Sequence, residues 1–305
     1  MDGLATMTYE RDGRVARVTL DRPERGNGIT LEMPGELAAC VERANLDPEV
    51  HVIALAGNGS GFCGGYDLVA SAEGRGATDA GDPAAPEDAP NQPAVVAANH
   101  DPSGTWDPVV DFQMMWRNVR GFMSLFWSEK PVVTKVHGYC VAGGTDMALC
   151  SDLLVVSEDA KIGYPPARVW GVPTTALWVS RLGPARAKRL LLTGDSLTGR
   201  QAVSWGLATD WAPADEVDRC FEDLLVRVAR IPLNQLVMHK LQANQAILAQ
   251  GLLQTQQMST FLDGIARHTP EGFTFQQRAA EAGFKEAVRE RDESFGDFGL
   301  PGKEA

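Results

Sequence analysis

The chain has 305 residues, of which 44% are hydrophobic and 22% are charged, and its formal net charge is -12. This balance is ordinary for a globular protein and lacks the basic footprint of a nucleic-acid-binding protein. No apolar run reaches the ~18 residues of a membrane span, and the N-terminal residues do not resemble a signal peptide.

Strand and helix patterns alternate over the first part of the chain. Residues 14–20 alternate polar and apolar side chains, which predicts a half-buried strand, and the turn-rich residues 21–28 follow. Residues 31–46 place apolar side chains on one face, as in an amphipathic helix. The apolar run at residues 50–56 predicts a buried strand.

The stretch at residues 70–107 interrupts this pattern. It is rich in Ala, Gly, Pro, Asp and Asn and contains few large apolar residues. Such a composition buries too little surface to offset the entropy of ordering the chain. We therefore expect a surface loop insertion, which is either inert or a lid over a ligand.

Regular structure resumes beyond this insertion. Helical spacing over residues 109–127 is followed by strand patterns at 131–136 and 153–156, with a short helix at 143–150 between them. Helices dominate from residue 184 onward. The alternation of strands and helices indicates a mixed α/β fold class.

Two glycine-rich segments, residues 61–68 and 137–146, each follow a predicted strand. Glycines allow the backbone to turn sharply and to approach a ligand closely. The first main-chain amides of a following helix have no intrahelical partner and can stabilise a developing oxyanion. These amides belong to Tyr66 and Asp67 in one segment and lie near Gly143 and Gly144 in the other.

Several segments in the same order resemble the enoyl-CoA hydratase/isomerase (crotonase) superfamily. The likeness covers most of residues 10–210, and its order is more specific than any single motif. The segments are Asp-Arg-Pro-Glu-Arg-Gly-Asn at 21–27, Phe-Cys-Gly-Gly-Tyr-Asp-Leu at 62–68, the whole of 130–152, Leu-Leu-Thr-Gly at 191–194, Ala202 and Gly206-Leu207.

The resemblance implies a crotonase-like spiral of ββα units over residues 1–207, with the loop insertion, and a helical C-terminal trimerisation region over 208–305. It implies an acyl-CoA thioester as partner and a homotrimer or a dimer of trimers, without nucleic acid or membrane. Coenzyme A would enter as part of the substrate, so we expect no separate cofactor and no metal. The five cysteines lack a CxxC spacing, which favours reduced thiols and a cytoplasmic protein.

The resemblance also implies roles for individual residues. The amides of Tyr66 and Gly143 would form an oxyanion hole for the thioester oxygen as it becomes an enolate. Asp146 matches the first of the two catalytic glutamates of the family's hydratases and would be the proton carrier. Arg25, ahead of Arg22, is the candidate contact of the coenzyme A phosphates. The expected substrate-binding or coenzyme A-binding residues are Arg25, Gly64, Gly65, Asp67, Leu68, Gly144 and Ala167.

The sequence departs from the family at the second catalytic glutamate. That position falls at Ala167, or at Pro166 with a different gap, and neither side chain carries a proton. A further position that holds aspartate in some dienoyl-CoA isomerases is Thr175. Asp67, Glu129 and Tyr164 are open candidates for a substitute. Arg168 and Trp170 either reshape the adjoining wall or form an exposed salt bridge and a core tryptophan.

We therefore predict an enzyme of the enoyl-CoA hydratase/isomerase type with Asp146 as the proton carrier. The alternatives are a catalytically weak acyl-CoA-binding member, or an acyl-CoA hydrolase or decarboxylase. The missing second glutamate motivates both alternatives.

Overall fold

The computed structural model describes residues 3–67 and 106–296. The predicted loop insertion at 70–107 lies outside the described residues except for Trp106 and Asp107. Leu68, which we expected to contact the substrate, also lies outside them.

The described strands form two sheets. The strands are β1 Met7–Asp12, β2 Val15–Leu20, β3 Val52–Gly57, β4 Val132–Val136, β5 Tyr139–Val141, β6 Leu153–Ser157, β7 Lys161–Gly163, β8 Ser196–Leu197 and β9 Asp210–Ala212. The larger sheet has the order β1-β2-β3-β4-β6-β9, and all its pairs are parallel except β1 with β2. The smaller sheet has the order β5-β7-β8.

Helices follow most strands and then continue to the end of the described chain. They are α1 Met33–Leu46, α2 Pro108–Trp127, α3 Gly143–Ala148, α4 Trp178–Leu191, α5 Gly199–Trp205, α6 Val217–Ala229, α7 Leu233–Leu248, α8 Leu252–Arg267, α9 Pro270–Ala282 and α10 Phe284–Glu293. Short 3-10 helices lie at Pro23–Arg25 and Pro165–Arg168. Among the described residues, no helix combines the length and apolar character that crossing a membrane requires.

The packing of strand β3 explains why its sequence is apolar throughout. Ile53 and Leu55 belong to the main core, while Val52 and Ala54 belong to a second cluster with residues of α6. Parallel strands that are covered on both faces read as continuous apolar runs. The main core also contains residues of α1 and α2, so the sheet is packed between these helices and α6.

The structure confirms the mixed α/β class. The predicted helices at 31–46 and 109–127 are observed at 33–46 and 108–127. The sequence patterns did not indicate β5, β7, β8 and β9, because strands of two or three residues are too short to show a period. The boundary between 207 and 208 stays a prediction, although β9 lies beyond it and still joins the larger sheet.

The expectation of an exposed salt bridge at Arg168 is wrong. The Arg168 side chain is only 1% exposed and lies 3.0 Å from the Asp292 carboxylate, which is itself buried. Its guanidinium also lies 4.0 Å from the centre of the Phe295 ring, and nearby Trp170 packs 5.0 Å from Phe275. These contacts attach the 3-10 helix at Pro165–Arg168 to the C-terminal helices.

Replacing Arg168 by leucine should therefore lower the free energy of unfolding by about 3 kcal/mol, because it leaves the buried Asp292 with less compensating charge. Arg291 still contacts this carboxylate, which limits the loss. Denaturant unfolding of Arg168→Leu and of the double variant Arg168→Leu/Asp292→Leu checks this. The double variant should be more stable than the single one; equal stabilities would contradict the ion-pair explanation.

Candidate active site

The two glycine-rich segments lie side by side. The main-chain N–H groups of Phe62 and Cys63 both donate to the Tyr139 carbonyl oxygen, and the Val141 N–H donates to the Cys63 oxygen at 3.1 Å. A Cβ atom at Gly144 would stand 2.5 Å from the Cys63 oxygen, so only glycine permits this approach. The backbone thus joins residues 62–67 to the start of α3.

Tyr66 and Gly143 are brought together at this junction. Gly65 accepts a hydrogen bond from Ile29, and Asp67 donates one to Ile29, so the intervening Tyr66 N–H points away from that bridge. The Tyr66 ring covers Gly143, where a Cβ atom would lie 2.9 Å from Tyr66 Cε2. Neither the Tyr66 N–H nor the Gly143 N–H donates to any acceptor within the described residues.

The backbone before Gly143 is strained. Ala142 has φ 53° and ψ -129°, a region that residues with a side chain rarely adopt. Its N–H donates to Gly163 at 3.1 Å, and its carbonyl oxygen accepts from both the N–H and the hydroxyl of Thr145. Such strain persists where the surroundings fix it, and it is concentrated at functional sites.

Asp146 lies in α3 and is 1% exposed. Its Oδ1 accepts hydrogen bonds from the Thr175 N–H at 3.0 Å and the Thr175 hydroxyl at 2.8 Å. Its Oδ2 has no partner within the described residues. Burial raises the pKa of Asp146 to about 7 and the Asp263 carboxylate adds to this, while hydrogen bonds from Thr175 and from the Thr174 main-chain N–H oppose it. Near neutral pH the group can therefore both give and take a proton.

The stability of the protein should depend on this carboxyl group. Because the folded-state pKa lies above the ordinary value of 3.8, the unfolded chain loses the proton first as the pH rises. Asp146 therefore lowers the free energy of unfolding increasingly as the pH rises from about 4 to about 7, and this penalty stays constant above pH 7. The stability of Asp146→Asn relative to the wild type should therefore be higher at pH 8 than at pH 4.5.

Thermal or denaturant unfolding at the two pH values measures this difference. Asp215→Asn, at an exposed position, controls for the general effect of removing a carboxylate. The assignment is wrong if the stability difference between Asp146→Asn and the wild type is the same at both pH values.

Ala167 lies in the 3-10 helix at Pro165–Arg168 and packs partly buried against the main core. Thr175, at the position where some dienoyl-CoA isomerases of the family hold aspartate, donates two hydrogen bonds to Asp146. Glu129 is exposed just beyond the end of α2. Tyr164 is buried, and this burial, with Asp146 and Asp263 nearby, raises its pKa well above the usual value.

Asp67 is held in an ion-pair cluster. Its carboxylate lies 2.8 Å from Arg25 and 3.0 Å from Arg22. Burial acts to raise the pKa of Asp67. Hydrogen bonds from Arg25 and Arg22 nevertheless hold this pKa below its ordinary value. Two guanidinium groups thus occupy this carboxylate, so Asp67 is poorly suited to replace the missing glutamate. Gly64 is exposed beside this cluster, and its N–H donates to Gly26 at 3.0 Å.

The sequence did not single out three further residues of this region. Asp263 of α8 is buried and raises the pKa of Asp146, while Asn118 of α2 and Thr174 are buried nearby. Asp263 and Asn118 belong to segments that no sequence motif marks, and Thr174 adjoins the family position at Thr175 without being part of a motif. Within the described residues, no group of three or more His, Cys, Asp or Glu side chains is placed to hold a metal ion.

The chain is similar to proteins described as enoyl-CoA hydratases or isomerases. The family model for enoyl-CoA hydratase/isomerase matches residues 10–88 and 111–285. The crystal structure of an enoyl-CoA hydratase from Mycobacterium smegmatis is similar, with 54% identity and a TM-score of 0.87, over 98% of this chain and 97% of that one.

Relatives of lower sequence identity carry similar descriptions. An enoyl-CoA hydratase/isomerase from Xanthobacter autotrophicus Py2 has 26% identity and a TM-score of 0.77, over 96% of this chain and 99% of that one. The curated 2,3-dehydroadipyl-CoA hydratase of Escherichia coli is 25% identical over 85% of this chain and 91% of its own length. These likenesses confirm the crotonase-like fold and the family resemblance. The chain belongs to the enoyl-CoA hydratase/isomerase family.

Proposed function

We propose that the chain binds an acyl-CoA thioester and that the thioester carbonyl oxygen accepts hydrogen bonds from the main-chain N–H groups of Tyr66 and Gly143. The observation that carries this proposal is the meeting of these residues, each with an N–H group that no described acceptor engages. Fixed amides of this kind stabilise the negative charge that develops on a carbonyl oxygen. The thioester would then be converted reversibly to an enolate.

Asp146 is the proposed proton carrier. Its Oδ2 is unengaged among the described residues, and its pKa of about 7 suits a group that takes and returns protons near neutral pH. Thr175 would fix the other oxygen, so that the carboxyl group keeps one orientation. One such group can move a proton across an enolate, which is isomerase chemistry, or can activate a water for hydration.

The second candidate function is a catalytically weak acyl-CoA-binding member, or an acyl-CoA hydrolase or decarboxylase. It is favoured by the second catalytic position of the family's hydratases, which we expect at Ala167 or at Pro166, because neither side chain carries a proton. Asp67 forms ion pairs with Arg22 and Arg25 and is therefore a poor replacement for the missing glutamate. This supports a reaction that needs only one proton carrier.

The remaining contacts extend the proposal. Arg25 is the candidate for the coenzyme A phosphates, and Gly64, Gly65 and Gly144 would let the thioester approach the backbone. Coenzyme A would enter as part of the substrate, and we propose no other cofactor. A homotrimer or dimer of trimers is supported by apolar side chains exposed on α7 and α8, which are Met238, Leu241, Leu253, Met258, Phe261, Leu262 and Ile265.

A panel assay tests the function. Turnover is measured on crotonyl-CoA, longer enoyl-CoAs, dienoyl-CoAs and a β-keto thioester, with binding of each measured separately. Turnover on enoyl or dienoyl thioesters is the expected result. Binding without turnover would favour the catalytically weak member, and absence of binding to every thioester would overturn the proposal.

A further inference from the structure

Helix α8 carries a stripe of buried polar side chains. Gln256, Thr260 and Asp263 are spaced as i, i+4 and i+7, so they lie on one face of this helix. Their exposed fractions are only 3%, 1% and 6%. Polar side chains are usually exposed, and those that are buried are held by hydrogen bonds. The partners of Gln256 and Asp263 therefore indicate what the stripe does.

The two ends of the stripe hold the segment at residues 172–175. The Gln256 Nε2 amide donates a hydrogen bond to the Thr175 carbonyl oxygen at 2.9 Å. The Asp263 Oδ1 atom accepts one from the Val172 main-chain N–H at 3.1 Å. Two side chains of α8, about two helical turns apart, thus fix the two ends of this segment.

The segment has little support from the main chain. Within the described residues, no main-chain hydrogen bond joins residues 172–176 to another main-chain group. Ala176 has φ 54°, a left-handed conformation that residues with a side chain rarely adopt. An irregular, strained backbone of this kind persists only where its surroundings fix it. The side chains of Gln256 and Asp263 provide two of the fixing contacts.

The same segment holds Asp146. Thr175 donates to Asp146 Oδ1 through its main-chain N–H at 3.0 Å and through its hydroxyl at 2.8 Å. Thr175 is only 1% exposed, so water does not readily replace these partners. Because Gln256 binds the carbonyl oxygen of this threonine, a continuous series of hydrogen bonds runs from α8 through Thr175 to the Asp146 carboxyl group.

Gln256 and Asp263 are themselves held in place by α2. The Gln256 Nε2 atom lies 3.1 Å from Met123 Sδ. The Asp263 Oδ2 atom lies 3.1 Å from Arg267, and Arg267 lies 2.6 Å from the Asp111 carboxylate. Both stripe residues are therefore fixed on the side away from residues 172–175.

We propose that Gln256 and Asp263 are positioning residues for the proton transfer, because they hold residues 172–175 so that Thr175 orients the Asp146 carboxyl group. This inference rests on the proposed role of Asp146 as proton carrier. Within the described residues, neither side chain forms a hydrogen bond with Asp146, so each positions it through the segment. A catalytic group that is displaced by roughly 1 Å can lose up to about 10²-fold in rate.

Gln256→Met tests the positioning. Methionine has a similar length but no amide N–H, so the Thr175 carbonyl oxygen loses its donor. On a thioester that the wild type turns over, kcat should fall about 10-fold, while the dissociation constant of the thioester stays close to the wild-type value. The matched control is Gln257→Met at the exposed neighbouring position, which should keep the wild-type kcat.

A double-mutant cycle separates positioning from general damage. Thr175→Val and Gln256→Met both disturb the hydrogen bonds to the same carboxyl group. The combined loss in kcat should therefore be smaller than the product of the two single losses, because coupled residues are not additive. A combined loss equal to that product would contradict the proposed route from Gln256 through Thr175.

The two stripe residues should also move the pKa of Asp146 in opposite directions. Gln256→Met weakens the Thr175 hydrogen bonds, which favour the ionised form, so the pKa should rise. Asp263→Asn keeps an oxygen atom for the Val172 N–H but removes a nearby negative charge, so the pKa should fall. The limb of the pH-rate profile that reports Asp146 should shift to higher pH in the first variant and to lower pH in the second.

Other titratable groups around Asp146 do not obscure this shift. Four groups whose pKa the Asp146 carboxylate raises are Tyr66, Cys140, Cys150 and Tyr164. Burial raises the pKa of each further above its ordinary value, so all four stay neutral near pH 7. Asp263 remains the acidic neighbour that raises the pKa of Asp146, with Arg267 as its cationic partner.

Unfolding measures the same pKa without turnover. The stability that Asp146→Asn gains at pH 8 relative to pH 4.5 should be larger in the Gln256→Met background and smaller in the Asp263→Asn background. Unchanged values in both backgrounds would overturn the positioning role. Full turnover by Gln256→Met beside lost turnover in Asp146→Asn would also overturn it and leave the proposed function intact. Full turnover by Asp146→Asn would instead overturn the proposed role of Asp146.

Discussion

Replacing Asp146 by asparagine should lower kcat on an enoyl or dienoyl thioester that the protein turns over by about 10²–10⁴-fold, the usual contribution of one positioned acid-base group. Asparagine has nearly the same volume, and its amide oxygen can still accept both hydrogen bonds from Thr175. It cannot take up or release a proton at the α-carbon or on a water. Affinity for the thioester should therefore change little, because the proposed oxyanion contacts come from the main chain.

Steady-state kinetics and direct binding measurements separate these effects. Thr175→Val is the informative companion, since it keeps the carboxyl group and removes the hydroxyl that donates to it. The loss of a hydrogen bond to the ionised form raises the pKa of Asp146 further, so the acid limb of the pH-rate profile should move to higher pH. Undiminished turnover by Asp146→Asn would remove this residue from the mechanism.

The long elements of the fold could be predicted because their burial leaves a period in the sequence. Helix α2 presents one apolar face to the core, and its predicted and observed bounds differ by one residue at the N-terminus. Strand β3 was recognised from its apolar run alone, and the packing of both its faces explains that run. The short strands β5 and β7 leave no such period, although they position the segment before Gly143.

The candidate site could be predicted only where glycines and a motif mark it. The Tyr66 ring lies against Gly143, while the predicted convergence of the two N–H groups on one oxygen stays a prediction. Asn118 and Asp263 left no sequence signal, because their surroundings arise only when α2 packs against α3 and α8 packs against α2. The alternative of an exposed salt bridge at Arg168 is wrong for a related reason. A charged residue is usually exposed, and its buried partner Asp292 lies on a helix far along the chain.

Gly143→Ala should lower kcat/KM by about 10²–10³-fold, the cost of losing one donor of an oxyanion hole. The added Cβ atom would lie 2.8 Å from Ile29 Cδ1 and 2.9 Å from Tyr66 Cε2. Both neighbours are side-chain atoms, so the chain can yield and fold, but Tyr66 must move away from Gly143. We expect this movement to disturb the proposed convergence of the two N–H groups on one oxygen.

Two further variants separate this explanation from general damage. Gly144→Ala would bring its Cβ atom to 2.5 Å from the Cys63 carbonyl oxygen, which is backbone and cannot yield, so it should lower the melting temperature more than Gly143→Ala. The double variant Gly143→Ala/Tyr66→Ala removes the contact with the Tyr66 ring and leaves only the contact with Ile29 Cδ1, the end of a flexible side chain. Turnover of an unsubstituted enoyl thioester should then recover by about 10-fold, since the Tyr66 amide remains and only its displacement is relieved. If the single variant is fully active, or if the double variant recovers nothing while folded, the main-chain amides are not the groups that hold the thioester oxygen.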